Sequence, residues 1–100
     1  MRTQKMSKQQ YRSELAIISD ILGVAIDYGR EGAIISCISR RANLSHYSVI
    51  DKCQKLVNAG LIESICNDRS RSFAITQKGI EFLRQVQKFK EIAQAYNIRY

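Results

Sequence analysis

Residues 42–62 of the chain read ANLSHYSVIDKCQKLVNAGLI, and this stretch decides the fold. Residues 43–45 are typical of a tight turn, in which Leu44 is the apolar anchor and Ser45 is a favourable N-cap for the helix that follows. Apolar residues then recur at three- and four-residue intervals, which predicts an amphipathic helix over 46–59. Gly60 lies just past its end, where a left-handed cap residue is expected.

A β-hairpin is predicted directly after this helix. Residues 61–66 read as a strand, the polar run 67–71 as a turn and residues 72–75 as the returning strand. Thr76 is then well placed to cap a long final helix. The helix beginning near residue 46 is therefore followed by a short two-stranded ribbon that carries basic residues at its tip.

Three elements are predicted upstream of the turn. A helix over 10–28 has a wide apolar arc, which indicates burial on more than one side. Gly23 within it indicates close packing by another element, because glycine there costs about 1 kcal/mol against alanine. Residues 33–35 fit either a small strand or the first turn of the next helix. The strand is preferred, because Ser36 is then an N-cap for a short helix over 37–42.

The final helix carries a second apolar pattern. The residues spaced 4, 3, 4, 3 and 4 apart are Phe82, Val86, Phe89, Ala93, Tyr96 and Tyr100. Such spacing is typical of a coiled-coil seam. A domain this small has nothing left to bury the seam, so a partner helix from a second copy is predicted. The predicted dimerisation residues are Phe82, Val86, Phe89, Ala93 and Tyr96. A tail that folds back on its own core, or frays, is the alternative.

The order helix, strand, helix, helix, strand, strand, helix predicts a mainly α fold with a small β-sheet. We interpret it as a winged helix-turn-helix with a long C-terminal coiled-coil helix. One hundred residues without proline or a Ser/Gly-rich linker indicate one domain. We expect a flexible basic N-terminus over 1–9, the winged helix-turn-helix domain over 10–76 and a dimerisation helix over 77–100.

The balance of charge favours a nucleic-acid partner. The chain has 16 Lys and Arg against 9 Asp and Glu, a net charge of +7. Its sequence pI of about 9.6 exceeds the value of roughly 9 that is typical of nucleic-acid binding. No apolar run reaches the roughly 20 residues that cross a bilayer, and no signal peptide is apparent. We expect a cytoplasmic, nucleoid-associated protein without a membrane partner, although basic charge alone also fits an ordinary soluble protein.

The sequence contains no pattern of residues that is typical of a catalytic site or a metal site. The three cysteines are widely spaced and there is one histidine, whereas a zinc site usually needs four ligands in close pairs. A Gly-rich phosphate loop, paired carboxylates and a Ser/His/Asp set are not apparent. The sequence therefore predicts no enzyme, no cofactor and no bound metal.

Double-stranded DNA is the predicted partner, and the candidate contacts come from the helix-turn-helix and the hairpin. They are Arg40, Arg41, Ser45, His46, Tyr47, Ser48, Asp51, Lys52, Lys55, Arg69 and Arg71. On the second helix, Lys52 and Lys55 suit phosphates, and Ser48 suits either a base or a phosphate. Tyr47 offers a phosphate contact or an apolar contact with a thymine methyl, and Asp51 could accept from a cytosine amino group.

The arginines outside this helix extend the predicted interface. Arg69 and Arg71 flank the hairpin tip, where they could enter a narrow minor groove. Arg40 and Arg41 are placed to touch phosphate, although Arg41 could instead pair with an acid of the first helix. The alternatives are a polar solvated helix face, a hairpin kept soluble by arginine, and a protein–protein adaptor, which needs no surplus of positive charge.

Three short runs carry a family resemblance. Residues 41–45 (RANLS), 60–62 (GLI) and 75–79 (ITQKG) resemble the small archaeal winged helix-turn-helix proteins of about ten kilodaltons. That family includes chromatin-associated DNA binders and transcriptional regulators. The resemblance implies a homodimer joined by its C-terminal helices as an antiparallel coiled coil, with a winged unit at each end. The seam here departs from the family pattern, because it is rich in aromatic residues rather than leucine.

Overall fold

The computed structural model of the chain describes residues 12–98. These residues form four α-helices and a three-stranded sheet, as the sequence predicted, and one short 3₁₀ turn at Gly29–Glu31. The flexible N-terminus expected over 1–9 lies outside the described residues. So does Tyr100, the last residue of the predicted seam.

Helix α1 spans Glu14–Tyr28. It begins later than the predicted residue 10, because residues 12 and 13 are not helical and the side chain of Ser13 accepts a hydrogen bond from the backbone N–H of Ala16 at 3.0 Å. Such a cap satisfies one of the free N–H groups of the first turn. At the other end Gly29 adopts φ 62° and a 3₁₀ turn follows.

Strand β1 is Ala33–Ile34 and helix α2 is Ile35–Ala42. The strand was predicted correctly, but the prediction that Ser36 caps the helix is wrong. The cap position belongs to Ile34, which is extended and offers no side-chain hydrogen bond. Ile35 is already helical, and its side chain packs against the core, so apolar burial rather than capping sets the start of α2.

Helix α3 spans His46–Asn58 and begins at the predicted cap, Ser45. Its C-terminus is closed by Gly60, which has φ 80°. The N–H of Leu61 donates back to the carbonyl of Leu56 at 3.0 Å. This bond, with a left-handed glycine before it, is the Schellman arrangement that ends many helices.

Strands β2, Ile62–Cys66, and β3, Arg71–Ile75, form the hairpin. The sheet is antiparallel in the order β1-β3-β2. Arg71 was predicted in the turn but belongs to β3, where it pairs with Cys66. The central strand β3 is buried along Ser72, Phe73 and Ala74, so the sheet is covered by the helices packed on it.

One apolar core joins the helices to the sheet. Its largest fully buried side chains are Phe73, Ile21, Leu22, Ile38, Leu56, Ile62, Val49 and Cys53. Members of α1, α2, α3 and the hairpin all contribute, so α3 is fixed on its inner side by apolar packing. The outer side of α3 is thereby left to solvent.

Helix α4 spans Gln77–Ala95, begins at the predicted cap Thr76 and packs on α1 and β3. The expectation that one chain leaves its seam uncovered is wrong for Val86 and Ala93, which are 6% and 5% exposed. Phe82 likewise packs against the core. The spacing correctly predicted that these residues share one side of the helix. It did not show that α1 packs on part of that side.

Two glycines differ in what surrounds them. A Cβ at Gly79, in the first turn of α4, would stand 2.1 Å from the carbonyl oxygen of Leu61. Only glycine therefore lets α4 start this close to the turn after α3. The inference that Gly23 marks close packing is wrong, because a Cβ there would have nothing within 4 Å.

Candidate nucleic-acid interface

The outward side of α3 is the first part of the candidate interface. Its exposed residues recur at three- and four-residue spacing, which places their side chains on one helix face. They are Tyr47, Asp51, Gln54 and Asn58. Gln54 and Asn58 were not among the predicted contacts, nor was Ile50. The helical periodicity that predicts the buried face of α3 also predicts that these three residues are exposed.

Two serines stand at the start of α3. The hydroxyl of Ser45 accepts from the backbone N–H of Ser48 at 3.1 Å and donates to its Oγ at 3.1 Å. The exposed His46 and Tyr47 lie between them. These groups therefore gather at a helix N-terminus, the end at which backbone N–H groups and the helix dipole favour anions.

Lys52 and Lys55 meet one carboxylate on α1. The Nζ atoms of Lys52 and Lys55 lie 3.3 Å and 2.5 Å from Oε2 of Glu14. Hydrogen bonds from Lys55 and then Lys52 lower the pKa of Glu14, and Glu14 raises the pKa of Lys55. Both lysines therefore lie on the flank of α3 nearest the start of α1, and Lys52 does not belong to the outward side.

The hairpin tip, which we call the wing, spans 67–71. Its turn is held by Asn67, whose Oδ1 accepts from the backbone N–H groups of Arg69 and Ser70 at 3.4 Å and 3.2 Å. Arg69 is exposed at this turn. The guanidinium carbon of Arg71 lies 5.3 Å from the ring centre of Phe73, so Arg71 extends over the sheet from its strand.

The core indicates where Arg71 lies relative to α3. Arg71 and Phe73 are two residues apart on β3, so their side chains lie on one face of the sheet. Phe73 shares the buried core with Val49 and Cys53 of α3, where burial raises the pKa of the Cys53 thiol to about 11. Arg71 is therefore on the side of the sheet that faces α3, while Arg69 is at the tip.

The two arginines that end α2 differ in their surroundings. Arg41 pairs with Asp27 of α1 at 2.6 Å, and its guanidinium carbon lies 5.9 Å from the ring centre of Tyr28. The hydrogen bond to Asp27 raises the pKa of Arg41. Arg41 also lines a groove with Lys90 of α4, so it is not brought to the outward side of α3. Arg40 is exposed before the turn.

Two classes of site are not found in the part of the chain that the structure describes. Between residues 12 and 98 no group of three or more His, Cys, Asp or Glu is arranged to hold a metal ion. No helix in this range is long and apolar enough to cross a membrane. The thiols of Cys37, Cys53 and Cys66 are free.

A family profile described as winged helix-turn-helix matches residues 11–94. The element order, the short antiparallel sheet and the capped helix after a tight turn agree with it. The chain therefore belongs to the winged helix-turn-helix family. No curated protein matches the sequence.

Solved structures share the fold. Sso10a-2, a DNA-binding protein from Sulfolobus solfataricus, matches with a TM-score of 0.75 at 20% identity, over 86% of this chain and 86% of that chain. AF1382 from Archaeoglobus fulgidus gives 0.66 at 17% identity, over 86% and 96%. A mutant of S. aureus MepR bound to an oligodeoxyribonucleotide gives 0.68 at 17% identity, over 88% and 65%. The resemblance to small archaeal winged helix-turn-helix proteins is confirmed for family and fold.

Proposed function

We propose that the chain binds double-stranded DNA as a dimeric transcriptional regulator. The observation that carries this proposal is the exposed outward side of α3 beside an arginine-bearing wing. We call this surface the α3–wing face. It consists of the half-buried Ser48 and nine exposed residues, which are Ser45, His46, Tyr47, Asp51, Gln54, Lys55, Asn58, Arg69 and Arg71. On this proposal α3 enters the major groove and the wing lies on the adjacent backbone or minor groove.

The electrostatics of the chain support this proposal. Its net charge of +7 would draw it to a polyanion, and phosphate contacts supply most of the affinity that does not depend on base sequence. The relatives support it as well, because Sso10a-2 is described as DNA-binding and the MepR mutant was solved with an oligodeoxyribonucleotide. Neutralising about six phosphates would lower the affinity by roughly three powers of ten between about 50 and 200 mM salt.

The wing supplies the first test of this proposal. Replacing Arg69 and Arg71 together with alanine removes two cations, so affinity for every duplex should fall roughly tenfold or more. The slope of log affinity against log salt should become shallower by about two units. Fluorescence anisotropy with a labelled duplex at several salt concentrations measures both quantities.

Its matched control removes two cations from α4, by replacing Arg84 and Lys88 with alanine. The main contacts of helix α4 are with α1 and β3, so this variant should keep most of the parent's affinity. If both double variants bind equally well, the wing makes no contact with DNA and only net charge matters.

Glu14 is proposed to compete with DNA phosphate for Lys52 and Lys55, because its carboxylate already occupies both Nζ atoms. Glu14→Gln should therefore raise affinity for duplex DNA about three- to tenfold at low salt. The matched control is Glu81→Gln, which removes a carboxylate that pairs with Arg84 on α4. Equal gains from the two variants would show that Glu14 acts only through net charge.

Dimerisation is proposed through α4. Phe89, Ile92 and Tyr96 are 49%, 59% and 73% exposed and are spaced three and four residues apart, which forms one apolar stripe along the helix. We call these three residues the α4 stripe. It retains Phe89 and Tyr96 of the predicted seam, whereas Val86 and Ala93 are buried and Phe82 packs against the core. A second copy of the same helix would cover the stripe and present two α3–wing faces to DNA.

A general DNA-organising role is the second candidate. The observation that favours it is that the first two turns of α3 carry no Asn, Gln or Arg, the side chains that make bidentate contacts with bases. Sequencing the duplexes selected from a random pool separates the two roles, because a regulator enriches a defined site. A protein–protein adaptor predicts no retention on duplex DNA.

A further inference from the structure

Two large apolar side chains lie on the outside of α3, within its first two turns. Tyr47 is 79% exposed and Ile50 is 44% exposed. Residues three apart on a helix are neighbours on its surface, so the two side chains form one apolar pair. The core takes Val49, Cys53 and Leu56 from the same helix, which means that the exposed parts of the pair are not needed for packing.

The charge around this pair narrows the choice of partner. Lys55 is exposed on the same helix. Arg71 is exposed on β3 and lies over Phe73, which shares the core with Val49 and Cys53 of α3. Together with the net charge of +7, an exposed apolar pair fits a polyanion that presents apolar groups. Double-stranded DNA is such a polyanion, because the C5-methyl group of thymine projects into the major groove among polar base edges.

The charge of Asp51 indicates which part of the DNA the outward side of α3 would face. It is exposed next to Ile50, and a carboxylate placed against backbone phosphates would be repelled. The outward side is therefore better directed at base edges, while the lysine flank reaches phosphates. Residues near the start of an inserted helix are the ones that commonly contact base edges, and Tyr47 and Ile50 belong to that part.

We propose that Tyr47 and Ile50 contact thymine methyl groups in the major groove and give the protein a preference for thymine-containing sites. The proposal rests on the DNA-binding function proposed above and adds the base chemistry that α3 reads. Apolar contact needs no bidentate side chain, so it is compatible with the lack of Asn, Gln and Arg in these two turns.

The test compares two duplexes of one A·T-rich sequence, in which thymidine is either kept or replaced throughout by deoxyuridine. The replacement removes the methyl group and leaves pairing and charge unchanged. With two methyl groups buried, the parent should bind the thymine duplex about tenfold more tightly. The double variant Tyr47→Ser, Ile50→Ser should bind both duplexes alike, near the parent's affinity for the uracil duplex.

Lys55→Ala is the matched control on the same helix. It should weaken binding to both duplexes and keep the tenfold ratio, because a phosphate contact carries no base information. Circular dichroism and thermal melting of each variant report whether the fold is kept.

Three outcomes would count against the proposals, and they can be told apart. A parent protein that binds both duplexes equally overturns thymine reading and leaves DNA binding in place. A double variant that retains the parent's ratio also overturns it, because other residues would then read the methyl group. Failure of the parent to bind either duplex at low salt overturns the proposed function itself.

Discussion

Replacing Ile92 with aspartate is expected to convert a dimer into a folded monomer. Ile92 lies in the α4 stripe and is 59% exposed in one chain, so the substitution should cost little stability in the monomer. In a symmetric dimer it removes two buried isoleucines, each contributing roughly 1.5–3 kcal/mol, and adds two carboxylates to an apolar contact. Self-association should weaken about 100-fold or more, as sedimentation equilibrium would measure.

Gln94→Asp is the matched control for this substitution. Gln94 is exposed on α4 two residues further along and lies off the stripe, so the variant adds the same charge and should remain dimeric. Loss of the dimer should also weaken DNA binding, because two linked contacts bind more tightly than one. A parent protein that is monomeric at tens of micromolar would contradict the α4 stripe, and an Ile92→Asp variant that stays dimeric would place the interface elsewhere.

Gly79→Ala is expected to destabilise the fold by about 3 kcal/mol, at the upper end of the usual cost of overpacking. The new Cβ would stand 2.1 Å from the carbonyl oxygen of Leu61 and 2.7 Å from Cγ1 of Ile75. The carbonyl cannot simply move, because it accepts the N–H of Thr76 at 3.1 Å. Either α4 must shift or the turn after α3 must open. Urea unfolding followed by circular dichroism measures the loss.

The same substitution at Gly23 is the control and should have the opposite sign. A Cβ at Gly23 meets nothing within 4 Å, and alanine is favoured over glycine inside a helix by about 1 kcal/mol. Gly23→Ala should therefore stabilise the chain slightly. Equal destabilisation by both variants would mean that the close approach at Gly79 is not what requires glycine there.

The helix starts and ends that depend on local chemistry were predictable from sequence. Ser45 and Thr76 act as caps because their hydroxyls reach the backbone N–H group three residues ahead, and this needs no tertiary structure. Gly60 ends α3 because it adopts a left-handed conformation at low cost. The order of strands and helices followed from these boundaries and from periodicity, so the winged helix-turn-helix was predicted correctly.

The features that were missed depend on residues far apart in the chain. Glu14 lies 38 residues before Lys52 and 41 before Lys55, and nothing local to either segment indicates that they meet. Val86 and Ala93 were also misjudged, because their regular spacing predicts an apolar stripe but does not indicate whether α1 or a second chain covers it. The start of α2 at Ile35 was missed because core packing overrode the capping preference of Ser36.

Binding of double-stranded DNA by the α3–wing face can be followed residue by residue. The most direct measurement is a titration of ¹⁵N-labelled protein with a short A·T-rich duplex at low salt, followed by amide chemical-shift changes along the chain. We expect the largest changes to fall in 45–58 and 67–71, and to diminish when salt is added, because phosphate contacts are weakened by salt. Changes confined to other segments, or none at all with duplex in excess, would show that the α3–wing face does not bind DNA.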